Sequence, residues 1–407
     1  MKKLIKYILA FSLVITSVFG LVGCSGDPEL SVESDQVLVK IGEEATINLT
    51  INPKKVDYTI SVDRSDVATA TKDGPTIKVK GVAAGRAVLT VTHKNENVMP
   101  LYINIGVITP EIDLTYQKKN IELSNGETYA YLEENPQATK TVLLLHGNLS
   151  SSVYWLRAIK ELKTKYHVLA PDFRGFGDST HNTRITSFAD LVDDVVLFMN
   201  AKNVSKAYVI GWSMGGGVAM ELAAAHPALV EKLVLVASTT HKGYPTYSVN
   251  GLTGEKSAFK SAEDMANDIA IGAGLEIFKA NDRATMKESL VNLSFNPIPD
   301  AELDLYVAEA FKQKNLLDAN WALSTQNMSA EASLYSPGAN TIKNITCPVL
   351  HLWGKKDDIL APKAMTDDNY NALQSVSERI DYDDCGHMIF LDKYLEAVQD
   401  IITFLDR

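Results

Sequence analysis

The sequence predicts an α/β protein with a mostly parallel β-sheet covered by helices on both faces, preceded by a smaller all-β domain. From about residue 120 onward, short apolar runs alternate with stretches of helical periodicity, a pattern typical of strands that are buried on both faces. Between residues 28 and 107, short runs rich in β-branched residues are separated by Gly, Asp, Asn and Pro. Such runs are typical of an antiparallel sandwich.

Composition excludes several classes of protein. The chain has 407 residues, of which 46% are hydrophobic and 22% charged, as in globular proteins with room for two domains. A formal net charge of −11 would repel phosphate backbones, so no nucleic-acid partner is expected. There is no Cys/His spacing typical of zinc, no glycine fingerprint for dinucleotides and no Walker loop, so neither a metal nor a cofactor is expected.

The N-terminus has the pattern of a secretory signal. Lys2, Lys3 and Lys6 precede an uncharged run over residues 7–23. The run ends in Leu-Val-Gly-Cys24, which resembles the bacterial lipobox. The resemblance implies that residues 1–23 are removed, that Cys24 carries lipid, that residues 24–27 form a tether, and that the protein lies on the extracytoplasmic face of the cell membrane. The alternative is an uncleaved transmembrane anchor, for which the run is short.

Residues 28–107 are predicted to form the β domain, and residues 108–119 a linker. The stretch 64–70, followed by 81–87 with its Gly-Val-Ala-Ala-Gly-Arg-Ala sequence, resembles the bacterial Ig-like group 2 domain. Domains of this family are usually stalks, so the resemblance implies a spacer above the membrane. Contact with cell wall or glycan is the alternative role, and no titratable cluster in this region suggests chemistry.

The large domain is predicted to span residues 120–407. Its predicted strands are 141–145, 166–170, 207–210, 233–236, 349–353 and 379–382. Predicted helices cover residues 152–163 and 214–226, and a further one opens at Ser187 with Asp190 at capping-box spacing. From about residue 241 to 340 the alternation stops, and helical segments such as the one opening at Ser261 replace it. This stretch is predicted to be an insertion between two core strands.

A serine lies at a strand-to-helix turn. Gly211-Trp212-Ser213-Met214-Gly215 follows an apolar strand and opens an alanine-rich helix, the context that a G-x-S-x-G nucleophile elbow requires. A sharp turn of this kind exposes the serine Oγ, and the helix N-terminus directs free N–H groups to the same place.

Other landmarks follow in an order that resembles the α/β-hydrolase superfamily, in its serine-nucleophile branch with a helical cap. His-Gly-Asn148 ends the first buried strand, and Asp-Phe-Arg-Gly-Phe-Gly-Asp-Ser occupies residues 172–179. Gly-Lys-Lys-Asp357 and Cys-Gly-His387 come last. The resemblance implies that His387 is the base for Ser213, and that the backbone N–H groups of Met214 and Asn148 form the oxyanion hole.

The acid of this constellation is a choice between two neighbouring carboxylates. The strand that ends near residue 236 is followed by Ala237-Ser238-Thr239-Thr240 and offers no acid, whereas the strand at 349–353 leads into Asp357 and Asp358. The family pattern puts the acid three residues after the glycine that closes this strand, which is Asp357. Asp358 is then expected to face solvent or to brace the loop.

These residues predict hydrolysis of an ester, thioester, lactone or amide of a small, largely apolar acyl group, since an insertion of this size favours a closed pocket. The expected partner is therefore a small-molecule substrate. Carbon–carbon bond hydrolysis and cofactor-free peroxidation stay open within the same fold. A hypothesis of another class is a non-catalytic binding protein at the cell surface.

Overall fold

The computed structural model describes residues 29–52 and 57–407. The predicted signal sequence, the tether and Cys24 lie outside the described residues. The chain divides into two compact units. One unit runs up to Ile112 and includes Ser294–Asp300, and the other comprises Asp113–Leu293 and Ala301–Arg407. A search of the described residues for a helix long and apolar enough to span a bilayer finds none.

The first unit is all-β, as predicted. Its strands are β1 (Glu29–Val32), β2 (Gln36–Lys40), β3 (Glu44–Asn52), β4 (Tyr58–Val62), β5 (Ala68–Asp73), β6 (Thr76–Gly81), β7 (Gly85–His93) and β8 (Leu101–Ile108). They form two four-stranded sheets, ordered β1-β3-β6-β5 and β2-β8-β7-β4. Alternate side chains of both sheets, among them Ile77, Leu89 and Ile103, share one core. The β2–β8 pair is parallel, so the expectation of purely antiparallel pairing was wrong there.

The second unit contains an eight-stranded sheet ordered β18-β17-β14-β13-β11-β12-β10-β9. Its strands are β9 (Lys119–Glu122), β10 (Thr128–Glu134), β11 (Thr141–Leu145), β12 (His167–Pro171), β13 (Ala207–Trp212), β14 (Val230–Val236), β17 (Val349–Gly354) and β18 (Ser377–Tyr382). All neighbours from β12 to β18 pair in parallel, whereas β9 and β10 pair antiparallel at one edge. The predicted α/β sheet is confirmed.

Helices cover this sheet and fill the insertion. They are α1 (Leu156–Leu162), α2 (Phe188–Ala201), α3 (Met214–Ala225), α4 (Ala262–Met265), α5 (Ile269–Ala280), α6 (Arg283–Val291), α7 (Asp300–Ala310), α8 (Leu316–Thr325), α9 (Lys363–Ala372), α10 (Ile389–Asp392) and α11 (Tyr394–Asp406). Ser187 caps α2, where the carboxylate of Asp190 accepts a hydrogen bond from the Ser187 backbone N–H at 3.2 Å. The predicted 152–163 helix begins as a 3₁₀ turn over Ser152–Trp155 before α1.

The chain between β14 and β17 forms the cap. It holds α4 to α8 and a short hairpin, β15 (Ser248–Val249) with β16 (Lys256–Ser257). Ser261 begins α4, and its Oγ accepts a hydrogen bond from the backbone N–H of Asp264 at 3.2 Å. The hairpin is the one described strand pair in a stretch that the sequence predicts as helical.

Candidate active site

Ser213 is the turn residue between β13 and α3. Its backbone has φ 56° and ψ −121°, outside the regions that residues with a Cβ normally adopt. Strand and helix come so close here that a Cβ on Gly211 would lie 2.4 Å from the carbonyl oxygen of Gly215. The glycines of the motif therefore allow the sharp turn, and the turn leaves Ser213 half-buried at the edge of a cavity.

Asp357 and His387 meet at the same edge of the sheet, on the loops that follow β17 and β18. His387 Nδ1 and Asp357 Oδ2 are 2.6 Å apart, and both side chains are buried. Asp357 Oδ1 also accepts hydrogen bonds from the backbone N–H groups of Leu360 and Ala361, at 3.2 and 3.1 Å. Asp358, the other candidate acid, is exposed. The structure thus pairs His387 with Asp357, the carboxylate that the spacing favours.

The electrostatics keep Asp357 ionised. Burial alone would raise its pKa, but electrostatic attraction to His387 and the hydrogen bonds to the carboxylate outweigh burial and leave the pKa below its usual range. An ionised carboxylate beside Nδ1 fixes the imidazole with its proton on that nitrogen, so Nε2 is left as the basic atom. Nε2 is buried and has no hydrogen-bond partner among the described residues. His387 lines the same cavity as Ser213.

The two predicted oxyanion donors are the backbone N–H groups of Met214 and Asn148. Met214 is the first residue of α3, a helix of 12 residues, so its N–H has no partner within the helix. Asn148 lies in the loop after β11 and lines the cavity beside Ser213. In the described part of the chain, neither N–H donates to a protein acceptor.

Two further histidines near the site have structural partners. His146 is fully buried, and its Nε2 accepts a hydrogen bond from the backbone N–H of Phe173 at 3.0 Å. Burial lowers the pKa of His146 to about 4, so the ring is neutral and acts as an acceptor. His351 is a core residue of β17, and its Nε2 lies 3.0 Å from Ser377 Oγ. The Nε2 atom of each histidine therefore has a hydrogen-bond partner within the protein, which gives both residues a structural role.

The cavity has a volume of about 180 Å³ and is mostly apolar. From the sheet side, Tyr154, Trp212, Leu360 and Met388 line it. From the cap, the lining residues are Tyr244, Leu290, Leu293, Tyr306, Asn320 and Leu323. The polar lining residues include Asn148, Ser150 and Thr239 as well as Asn320 of the cap. A small, mostly apolar chamber with a few polar groups is the usual form of a small-molecule site.

A buried lysine lies where a cation site would otherwise form. The carboxylates of Asp172, Asp178 and Glu309 converge closely enough to hold a metal ion. Lys118 Nζ already lies among them, at 2.8, 2.9 and 2.8 Å. Burial alone would lower the pKa of Lys118, but attraction to Asp172 and Glu309 raises it above its usual range. The Lys118 ammonium, together with Lys312 beside Asp178 and Glu309, therefore offsets most of the negative charge of this cluster. Lys118 also joins the loop after β12 to the cap helix α7.

Sequence reasoning did not find the cap residues that shape the cavity or contact the loop after β11. Gln313, just after α7, forms hydrogen bonds with Asn148 and Leu149. The OH of Tyr306 donates to Glu302, which is paired with the buried Arg157. None of these residues belongs to a motif, and their spacing on short helices is typical of any amphipathic segment. Only the three-dimensional contacts reveal them.

Most of the second unit is similar to known proteins of one family. Residues 140–394 match the family model described as the alpha/beta hydrolase fold. The chain is 25% identical over 297 residues to Lipase 3 of Moraxella sp. (strain TA144), covering 71% of this chain and 84% of the lipase. It is 29% identical over 282 residues to AB hydrolase superfamily protein YfhM of Bacillus subtilis (strain 168), covering 66% and 88% of the two chains. Among solved structures, the esterase EaEST of Exiguobacterium antarcticum superposes with a TM-score of 0.56 at 16% identity, covering 72% of this chain and 100% of the esterase.

Proposed function

Because the chain belongs to the α/β-hydrolase fold family, we propose that it is a serine hydrolase acting on an ester, thioester, lactone or amide of a small, largely apolar acyl group. One observation carries the proposal: a serine in a strained turn shares a cavity with a histidine whose other ring nitrogen is held by a buried carboxylate. Lipase and esterase relatives favour a carboxylic ester among these substrates.

In the proposed reaction, Ser213 Oγ attacks the acyl carbon while His387 Nε2 takes its proton. Asp357 holds the imidazole and stabilises the positive charge that forms on it. When the tetrahedral intermediate collapses, the bond from the acyl carbon to the leaving group breaks, and His387 gives the proton to that group. Water then attacks the acyl-enzyme by the same base catalysis, releasing the acid and restoring Ser213.

The oxyanion of the intermediate would be bound by the backbone N–H groups of Met214 and Asn148. Neither donates to another described residue, so each can bind a substrate oxygen without first losing a protein partner. The position of Met214 at the N-terminus of α3 adds the positive end of the helix dipole. Donors that are fixed before the reaction supply a large share of catalysis in acyl transfer.

The size of the acyl group follows from the cavity. A volume of about 180 Å³ lined by side chains such as Leu290, Leu323 and Tyr306 suits a short acyl chain or a small ring better than a polymer. Cleavage of a carbon–carbon bond and cofactor-free peroxidation would use the same three residues, and no lining residue favours either reaction over ester hydrolysis.

The test is a panel of p-nitrophenyl esters of increasing acyl length, with lactones and aminoacyl amides, run on the purified protein and on Ser213→Ala. We expect turnover of short esters by the parent protein and a loss on the order of 10⁴-fold or more in the variant. No turnover of any compound by a folded parent protein, or equal turnover by Ser213→Ala, would reject the serine mechanism. The absence of turnover would favour the non-catalytic binding protein, whereas equal turnover by Ser213→Ala would show catalysis that does not use Ser213.

For the N-terminal part, the proposal is a lipid anchor on Cys24 and an Ig-like spacer between the membrane and the hydrolase. The lipobox-like sequence before Cys24 and the eight strands from β1 to β8 support it. Cys24→Ser should release the protein from the membrane or leave an uncleaved precursor. If the parent protein is retained in the membrane and mass spectrometry shows that its Cys24 is unmodified, the lipid anchor is contradicted.

A further inference from the structure

Gln313, in the cap, forms two hydrogen bonds with the loop that flanks Ser213. Its Oε1 accepts from the backbone N–H of Leu149 at 3.0 Å, and its Nε2 donates to Asn148 Oδ1 at 2.9 Å. The side chain is buried, with 6% of its surface exposed. Leu149 has φ 53°, a left-handed conformation that a leucine adopts only when its surroundings hold it.

These two bonds define which way both amides point. A backbone N–H can only donate, so the atom of Gln313 that faces Leu149 must be its oxygen. The other atom of that amide is then the NH₂ group, which can only donate. The atom of Asn148 that faces Gln313 must therefore be its oxygen, and its Nδ2 must point the other way.

Asn148 Nδ2 is left as a donor beside the cavity. Asn148 lines the cavity together with Ser213 and His387. Nowhere in residues 29–52 or 57–407 does Nδ2 donate to a described acceptor, although Oδ1 of the same side chain is bound. With the orientation reversed, the amide would present an acceptor beside the cavity, and an acceptor cannot bind a substrate oxygen.

The cap segment that carries Gln313 is anchored to the same loop by a second side chain. Glu309, four residues earlier and at the end of α7, accepts a hydrogen bond from Ser151 Oγ at 2.6 Å. Lys118 holds the Glu309 carboxylate in place at 2.8 Å. The loop from Asn148 to Ser151 is thus held from the cap at both ends.

We propose that Gln313 is a positioning residue that directs the Asn148 amide, so that Nδ2 donates to an oxygen of the substrate in the transition state. The proposal rests on the serine-hydrolase function above. It assigns to the cap a part in the chemistry, through Asn148, in addition to shaping the cavity. The substrates that Asn148 Nδ2 would bind are acyl compounds with a hydrogen-bond acceptor next to the reacting carbon.

Gln313→Glu tests this with almost no change in shape. The carboxylate still accepts from Leu149 N–H but can no longer donate to Asn148, so the Asn148 amide should turn its oxygen toward the cavity. We expect kcat for a p-nitrophenyl ester to fall about 10- to 100-fold with little change in KM, somewhat less than the loss of a full oxyanion-hole donor. Gln326→Glu is the matched control, because Gln326 is another buried cap glutamine, it donates to Gly217 O, and it does not line the cavity. The kcat of folded Gln326→Glu should change little, because the altered side chain does not line the cavity.

A double-mutant cycle separates positioning from a merely structural role. In an Asn148→Ala background, Gln313→Glu should cost little further kcat, because the group it directs is gone. Gln313→Ala, which removes both bonds, is the second variant if Gln313→Glu does not fold, and thermal melting monitors folding of each. Equal losses from Gln313→Glu with and without Asn148, or a change confined to KM, would overturn the inference. If Ser213→Ala instead turns over the ester as fast as the parent protein, the proposed function itself is rejected.

Discussion

Two regions of the second unit meet at the cavity, and they hold their side chains by different means. At the sheet edge, main-chain geometry does the positioning: Ser213 sits on a strained turn, and Asp357 is fixed by two backbone N–H groups. In the cap, side chains hold one another, as Gln313 holds Asn148 and Glu302 holds Tyr306. The nucleophile, base and acid therefore depend on the main-chain geometry of the sheet edge, whereas the cavity and the orientation of the Asn148 amide depend on individual cap side chains that can vary.

If the sheet edge carries the chemistry, changing its acid should have the largest effect. Asp357→Asn should lower kcat by about 10³–10⁴-fold and leave folding nearly intact, because the amide favours the wrong tautomer of His387. Steady-state kinetics on one p-nitrophenyl ester measures the loss.

Asp358→Asn is the control for this change, since Asp358 is the exposed neighbour and should cost little activity. A larger loss at Asp358 than at Asp357 would contradict the assignment of the acid, even though Asp357 is the carboxylate bonded to His387.

The junction between the two regions, formed by Lys118 with Asp172 and Glu309, should contribute mainly to stability. Lys118→Met leaves the buried Asp172 carboxylate without its cation, although Glu309 keeps Lys312, and should lower the free energy of unfolding by about 3 kcal/mol, the usual result of leaving a buried charge unpaired. Urea denaturation measures it. Lys119→Met, at the exposed neighbouring lysine, should cost less than about 1 kcal/mol.

The same junction has a predictable pH dependence. Burial alone would raise the pKa of Glu309, but Lys118 and its other partners hold it below the usual range. A carboxyl with a depressed folded pKa stabilises the fold above its unfolded pKa, and this contribution is lost as the pH falls through the folded value. The advantage of the parent protein over Lys118→Met should therefore shrink below about pH 4.3. A difference that stays constant from neutral to acid pH would show that the cluster does not act through charge.

The smallest effect is expected inside the cap. Leu323→Ala enlarges the cavity on the cap side and should shift preference toward longer acyl chains by about tenfold, since one methylene in an apolar pocket changes discrimination by that order. Ratios of kcat/KM along the ester series measure the shift. Leu334→Ala, at a cap leucine that is half exposed and does not line the cavity, should leave the ratios unchanged. Equal shifts in both variants would mean that Leu323 does not determine the preference for acyl-chain length.

The sequence predicted what depends on local patterns. The apolar run that forms β11 gave both ends of that strand, and the G-x-S-x-G context gave the elbow at Ser213. It missed β9 and β10 because their residues are polar or lack a clean apolar run, and the antiparallel edge they form depends on pairing across the sheet. Gln313 and Lys118 were also missed, since their roles come from contacts between segments far apart in the chain.

Reaction with a fluorophosphonate shows directly whether Ser213 is an activated nucleophile, because the probe forms a stable bond with a serine that a neighbouring base activates. We expect one covalent adduct per chain, mapped by mass spectrometry to the peptide that contains Ser213. The adduct should be absent in Ser213→Ala and should form much more slowly in His387→Ala. A folded parent protein that stays unlabelled, or an adduct on a different residue, would contradict this expectation.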